Sequence, residues 1–445
     1  MSLAVAGLWI VWYPPAIAIE DESAYLAHAR ILARGELTGN RPTDMTLSMV
    51  QTANGAVSKF PPGQSLLLAP TQFGGFWRTG FMVGLMALLG VTWLTATLLQ
   101  RDGRSPLWAA LVLLHPTLVL YARTLMSDVT AALVLTAGFA WSDMREPRPF
   151  RAGLAFGLGP FIRTAILPIA AALGLLFVLR LARANRWRDL AFAVGGASVP
   201  LVALLFYNAY VFGSPFESHS PVSTFFDWST SHQRAIFYAV ALNLLWPALA
   251  IGVIMSRHRR RVEAQLILAI SYVFFVGYYF VDRRYGLPAD FVVGLRFFVP
   301  ILPILAIVYA ERIESWMPQF AKRPPLIAGT IVMVMVANIT LVARHQGFLR
   351  ETATRRDIAV QAAQEADFVV VHGGAAELMS PAWGAPAFTI RADVESMQAL
   401  GAAMVAEGNR VLLIAQGTWT DTLYARSGGS ARREAGVGLL WLPQE

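Results

Sequence analysis

The sequence has no cysteine. Disulfides, thiol nucleophiles and thiolate metal sites are therefore excluded. Lysine is almost missing as well. Only Lys59 and Lys322 occur, so the net charge of +8 is carried by arginine. A GC-rich genome gives such an excess without selection, and no nucleic-acid partner is expected from it. Charge of either sign is sparse: 14% of the 445 residues, against 56% hydrophobic. A soluble chain of this length does not carry that ratio, whereas a polytopic membrane protein does. A basic n-region and a small-residue cleavage site are also lacking before the first acids. Residues 3–19 are therefore expected to form a first span rather than a cleaved signal.

What is present is a recurrence of apolar segments with short polar breaks. They fall at 3–19, 64–77, 79–99, 106–121, 128–142, 151–162, 164–180, 189–208, 235–256, 263–281, 296–310 and 325–343. The segment 64–77 is short or re-entrant, and 151–162 with 164–180 reads as a broken pair around Arg163. About 11 spans are expected. Arginine clusters lie on alternate connections: Arg101/Arg104, Arg145/Arg148/Arg151, Arg180/Arg183/Arg186/Arg188, Arg257/Arg259/Arg260/Arg261 and Lys322/Arg323. The positive-inside rule puts these in the cytoplasm. The other connections then face outward, and the N-terminus is expected inside.

The outward connections carry chemistry. Glu20, Asp21 and Glu22 follow directly on the first apolar run. Acids there complement the dipole of the helix expected over 22–34. Asp128 stands between two apolar runs, and Lys59, Arg123, Arg163, Arg283, Arg284 and Arg296 share its face. Ionisable groups at the lipid boundary are functional-site candidates, each with an anionic partner expected. The bland alternative pairs each arginine with Asp128, Asp282 or Asp290, or lets it snorkel to headgroups. The loop 209–234 is rich in aromatics and hydroxyls, with His219 and His232 in it.

From about 344 the composition changes. Arg344–Gln364 reads as a polar helix. Short apolar runs follow near 367–374, 387–391, 410–415 and 438–442, with a helix near Val394–Glu407. Strands alternating with helices suggest a small α/β domain. The expected division is thus 1–343 as a transmembrane domain and 344–445 as a small extracytoplasmic α/β domain. His372-Gly373-Gly374 lacks the glycine spacing of a nucleotide loop and reads as a turn.

Two acids and several cations at a lipid boundary suit one chemistry. Cations hold an anionic lipid carrier while an acid takes a proton from an incoming hydroxyl. In the same region, Asp21-Glu22-x-x-Tyr25 with Ala29-x-x-Leu32-x-x-Gly35 resembles the first outer loop of the GT-C membrane glycosyltransferases, which include protein O-mannosyltransferases and the aminoarabinose transferases of lipid A. Lys59-Phe-Pro-Pro-Gly-Gln resembles their lysine–aromatic–proline segment, and Tyr121-Ala-Arg-Thr-Leu-Met-Ser-Asp128 their second acidic loop. Gly157…Arg163 and Arg296-Phe-Phe-Val-Pro-Ile-Leu-Pro are similar to later segments. The resemblance covers roughly residues 1–345 and not the C-terminal domain.

The resemblance implies a GT-C-like helical membrane fold and a polyprenyl-phosphate sugar as donor. It implies transfer to a lipid, glycan or protein hydroxyl on the periplasmic face of a bacterial inner membrane. It implies Asp21, Glu22 and Asp128 as catalytic acids, and Lys59, Arg163 and Arg296 as contacts to the donor phosphate. Tyr25, Arg123 and His219 are the candidates for substrate binding. Two carboxylates are too few to specify a metal, and a divalent cation is left open. A lipid-linked sugar flippase would instead show midplane charges and repeated broken helices. A polymerase or ligase acting on lipid-linked sugar would rely on outer-loop arginines without a matched pair of acids.

Overall fold

The computed structural model describes residues 7–443 except 8, 18, 42–43, 47, 218–225, 279–288, 321–323, 380–385 and 387; the side chains at 20, 317–320, 324–331, 374, 376 and 377 are outside it too. His219, Asp282, Arg283, Arg284, Lys322 and Arg323 therefore lie outside the described residues.

The helices that carry the argument are α1 (Glu20–Ala33), α2 (Phe81–Arg101), α3 (Pro116–Ala122), α4 (Asp128–Trp141), α5 (Pro149–Ile162), α6 (Leu167–Arg183), α7 (Trp187–Phe212), α8 (Ser231–Leu245), α9 (Arg261–Gly277), α10 (Leu302–Phe320) and α11 (Pro324–Ala363). Among the described residues four helices are long and apolar enough to cross a membrane: Trp77–Arg101, Thr164–Arg183, Trp187–Phe212 and Val332–Ala363. A fifth crossing arises if the pair Ala289–Phe298 and Leu302–Trp316, bent by 105°, counts as one. Proline explains the bend, because Pro300 in the break cannot donate to the helical ladder. The expectation of about 11 spans is not reached by full-length helices. Several apolar segments are shorter or broken. In 64–77, Gly74 and Gly75 adopt positive φ. In 235–256 the helix breaks at Pro247 and Ala248, the latter at φ 58°.

Glycine sets the closest packing. A Cβ on Gly153 of α5 would come 1.9 Å from the Ala193 carbonyl of α7, and one on Gly196 of α7 would come 2.2 Å from the Phe150 carbonyl. The two backbones touch, the arrangement that small residues permit in membranes. The wall formed by α5 and α7 carries Arg163 at its edge.

The arginine clusters gather at one end. Helix α2 starts beside Leu125, which a Cβ on Gly80 would approach to 3.1 Å. It ends at Arg101, roughly 30 Å away at 1.5 Å per residue. There Asp102 pairs with Arg259 at 2.8 Å and with His258 at 3.0 Å, and Arg259 also meets Asp143 at 2.6 Å. Glu263 holds Arg180 and Arg260 at 2.5 and 2.9 Å. Asp102 and Asp143 are distant in sequence from Arg259, and Glu263 from Arg180, so composition hides most of the knot.

Helix α11 runs unbroken through the change of composition at 343–344. A change from apolar to polar side chains alters the solvent the helix suits, not its backbone. Strands β1 (Met49–Thr52) and β2 (Gly55–Ser58) form a hairpin near the N-terminus, and beyond α11 lies a sheet of β3 (Phe368–His372), β4 (Thr389–Arg391), β5 (Val411–Gln416), β6 (Arg432–Glu434) and β7 (Val437–Trp441), in the order β4-β3-β5-β7-β6. Strands β3, β4 and β5 are parallel, and β7 is antiparallel to β5. Strands β3 and β5 are almost wholly buried, as strands covered on both faces are. Strand β6 and the helix Thr418–Arg426 were not foreseen in the sequence; the expected strands and the helix near 394 are present.

Candidate active site

Helix α1 presents the first acids. Its N-terminus is fixed by Glu22, whose Oε2 accepts from the Ile19 N–H at 2.8 Å, half of a capping box. The other oxygen accepts from the Leu125 N–H at 2.7 Å. Glu22 is fully buried and thereby ties α1 to the loop before Asp128. Its neighbour Asp21 faces the other way, toward cations.

A hairpin of Met49–Thr52 and Gly55–Ser58 delivers Lys59. The hairpin end is held by the Lys59 N–H donating to the Ser48 carbonyl at 3.1 Å. Ser48 takes φ 63°, a strained value for a residue with a Cβ, and its hydroxyl donates to Asp21 at 3.3 Å. After Pro61-Pro62, a Cβ at Gly63 would fall 2.6 Å from the Phe161 carbonyl. Only glycine lets this segment close on the end of α5, next to Arg163.

The charged side chains then meet. Lys59 Nζ is 3.6 Å from Asp21 Oδ1. Arg296 bridges the two acids, with Nη2 at 3.4 Å from Asp21 and Nε at 3.4 Å from Asp128. Arg163 Nη2 is 3.1 Å from Asp128 Oδ1, at an angle that makes no hydrogen bond, and Arg163 also donates to Ser127 at 3.3 Å. Tyr25 shares a hydrogen bond with Ser127 at 3.1 Å and stacks on Phe60 at 4.9 Å. Burial pushes the Tyr25 hydroxyl up to about 12, so it stays protonated and can act as a donor.

Exposure grades the site. The Asp21 side chain is 17% exposed and Lys59 30%, against 11% for Arg296, 9% for Arg163 and 0% for Asp128. Asp21 and Lys59 form the open rim, and Asp128 is the floor between two arginines. Two acids against three cations leave the cluster with one positive charge.

A divalent cation does not fit this donor set. Each carboxylate already faces cations, and no group of three or more His, Asp and Glu side chains that could hold a metal is found among the described residues.

Crystal structures of ArnT from Cupriavidus metallidurans, one bound to undecaprenyl phosphate and one in the apo state, are similar to the chain at TM-score 0.63. They cover 99% of this chain and 97% of theirs, at 14% and 15% identity. The chain has the ArnT fold. No family model and no curated protein sequence matches it. The likeness extends over the C-terminal sheet region, which the motifs of the first 345 residues do not reach.

The ArnT fold brings Asp21, Lys59, Asp128, Arg163 and Arg296 together, with Tyr25 against them. Arg123 lies elsewhere. It is buried, and donates to Gln346 at 2.7 Å and toward His345 at 3.5 Å, both on α11. It thus joins the Asp128 loop to the stem of the C-terminal region. Ser48, Ser127 and Tyr278 belong to the surroundings of the cluster and were missed in the sequence. Tyr278 interacts electrostatically with Arg163, Arg296 and Asp21. Hydroxyl residues carry no spacing signal, and of the three only Ser127, next to Asp128 in its motif, could have been found from its place in the sequence.

Proposed function

We propose that the protein is a membrane glycosyltransferase. It moves a sugar from a polyprenyl-phosphate donor to an acceptor hydroxyl at the extracytoplasmic face of the inner membrane. The observation that carries this reading is the cluster itself: an accessible acid beside a net positive cradle, at the end of the molecule opposite the arginine knot. The ArnT fold, seen with undecaprenyl phosphate in one of the ArnT structures, supports the donor class.

In this reading Lys59, Arg296 and Arg163 receive the donor phosphate. Asp21 accepts the proton of the acceptor hydroxyl as its oxygen bonds to the anomeric carbon. The bond from that carbon to the phosphate oxygen breaks, the configuration inverts, and the phosphate monoester leaves with an added negative charge. The three cations stabilise that charge. Asp128 holds Arg163 and Arg296 in place, and Glu22 acts as a brace rather than as a reacting acid. Residues 1–343 carry the chemistry, and 344–445 form the extracytoplasmic region.

The test is a transfer assay with purified full-length protein in detergent and a total bacterial lipid extract. Mass spectrometry follows loss of sugar from polyprenyl phosphate. Asp21→Asn is expected to lower the rate by about 10²–10⁴, and Lys59→Ala by about 10²–10³, with lipid binding retained by the first. No sugar loss with wild type, or unchanged turnover by Asp21→Asn, refutes the assignment.

A further inference from the structure

A second polar concavity lies away from the acid–cation cluster. Trp77–Arg101 is long and apolar enough to cross a membrane, and Phe73 and Phe76 just before its start are exposed aromatics of the kind that anchor at a membrane boundary. Between this first turn, the Pro14-Pro15 segment and α11 is a cavity of about 400 Å³. Trp77, Arg78, Arg356, Asp357, Gln361 and Gln364 are among the residues that line it, two arginines against one acid.

Consecutive carbonyls place its two arginines on one wall. Arg78 Nη2 donates to the Pro14 carbonyl at 3.2 Å, and Arg356 Nη1 to the Pro15 carbonyl at 3.4 Å. Arg78 lies over the Tyr13 ring at 5.4 Å, and among the described residues no ion pair involves it. Arg356 pairs with Asp357 at 2.7 Å, but that carboxylate is 69% exposed, where an ion pair contributes little. The lining is thus net positive, with guanidinium forks of the geometry that grips phosphate oxygens in pairs. The side-chain amides of Gln361 and Gln364 add neutral donors and acceptors.

We propose that this cavity binds the phosphate group of an anionic membrane phospholipid. Its height at the start of a span is the height of lipid phosphates, and its walls join the span to α11. A bound lipid would clamp the stem of the C-terminal region against the membrane helices. The site shares no residue with the acid–cation cluster and does not depend on the transferase reading.

The experiment uses the full chain in detergent, with phosphatidylglycerol or inorganic phosphate added. Native mass spectrometry reads bound lipid, and thermal unfolding reads protection. Wild type is expected to retain phosphatidylglycerol and to gain stability with its concentration. The double variant Arg78→Gln/Arg356→Gln is expected to need about tenfold more lipid or beyond for the same effect. Asp357→Asn, which removes only the competing acid, is expected to bind the lipid more tightly. Equal lipid retention by wild type and the double variant overturns the proposal. So does weaker or unchanged binding in Asp357→Asn. Protection by inorganic phosphate equal to that by the lipid also overturns it, since the occupant would then be a free anion.

Discussion

Glu22→Gln removes one charge and keeps the shape, so it isolates what the carboxylate does. Both oxygens of Glu22 accept backbone amides, from Ile19 at 2.8 Å and from Leu125 at 2.7 Å. Glutamine has one acceptor oxygen and one amide donor. Whichever way it turns, an N–H meets an N–H. One charge-assisted hydrogen bond, worth about 1.5–3 kcal/mol, is lost outright and the other is weakened. The residue is fully buried, so water does not restore the loss. A total of about 2–4 kcal/mol is expected, visible as a lower thermal midpoint in detergent. The functional effect follows from place. Freed from Leu125, α1 no longer fixes Asp21 relative to Asp128, and turnover falls while the pH at which the rate is half-maximal stays where it was. Glu22→Asp, one methylene shorter, reaches only one amide and should not rescue. Wild-type midpoint and wild-type rate in Glu22→Gln would refute the brace. A displaced pH profile would show instead that Glu22 exchanges the proton.

Two further predictions concern the frame. Gly153→Leu puts a side chain where a Cβ already lies 1.9 Å from a carbonyl of α7, so α5 must separate from α7. Loss of monodisperse protein, or a stability loss of roughly 3 kcal/mol or more, is expected, and a normal thermal midpoint would show that the helices are not in backbone contact. At the arginine knot, burial alone would raise the Asp102 and Asp143 carboxyls, yet hydrogen bonds to Arg259, with His258 added at Asp102, hold both below the usual carboxylate range. Depressed folded values mean that their stabilisation is complete above the unfolded value near pH 4 and is lost as pH falls through the folded ones. The thermal midpoint should therefore be flat with respect to these groups from pH 7 to about 5 and drop below about 4, and Asp143→Asn should lessen that drop; an identical acid profile for both would refute the assignment.

The membrane helices were legible because apolar length needs no partner to be read. The same is true of the cluster's charged members. On the topology expected from the arginine clusters, Lys59, Arg163 and Arg296 fall on the side the rule disfavours, and they stand out in the sequence for that reason. Glu22 was not legible. In the sequence it is one of three adjacent acids, and only the helix phase of α1 separates Asp21, facing Lys59, from Glu22, facing Leu125. Arg123 misled for a related reason: it sits five residues before Asp128, but its side chain leaves toward α11. Among the described residues the hydropathy of some segments outruns their helices. Gly74, Gly75 and Ala248 turn the backbone inside runs that are mostly apolar.

The cluster's charges also bear on the order of events. Without substrate, Asp21 is engaged by Lys59 at 3.6 Å and by Arg296 at 3.4 Å. An acid held by two cations has its oxygens engaged, so an incoming hydroxyl must compete with them for a lone pair. On the proposed reading a donor phosphate enters among the same cations and competes for them. Each contact it gains is one that Asp21 gives up, and a carboxylate oxygen is freed to receive the acceptor hydroxyl as the donor settles. Asp128 does not take part in this exchange. It is fully buried between Arg163 and Arg296, and only removal of both partners would leave an uncompensated buried charge, at a cost of about 3–5 kcal/mol. The acid at the rim is thus the one whose partners can be exchanged, and the acid on the floor is the one whose partners must stay.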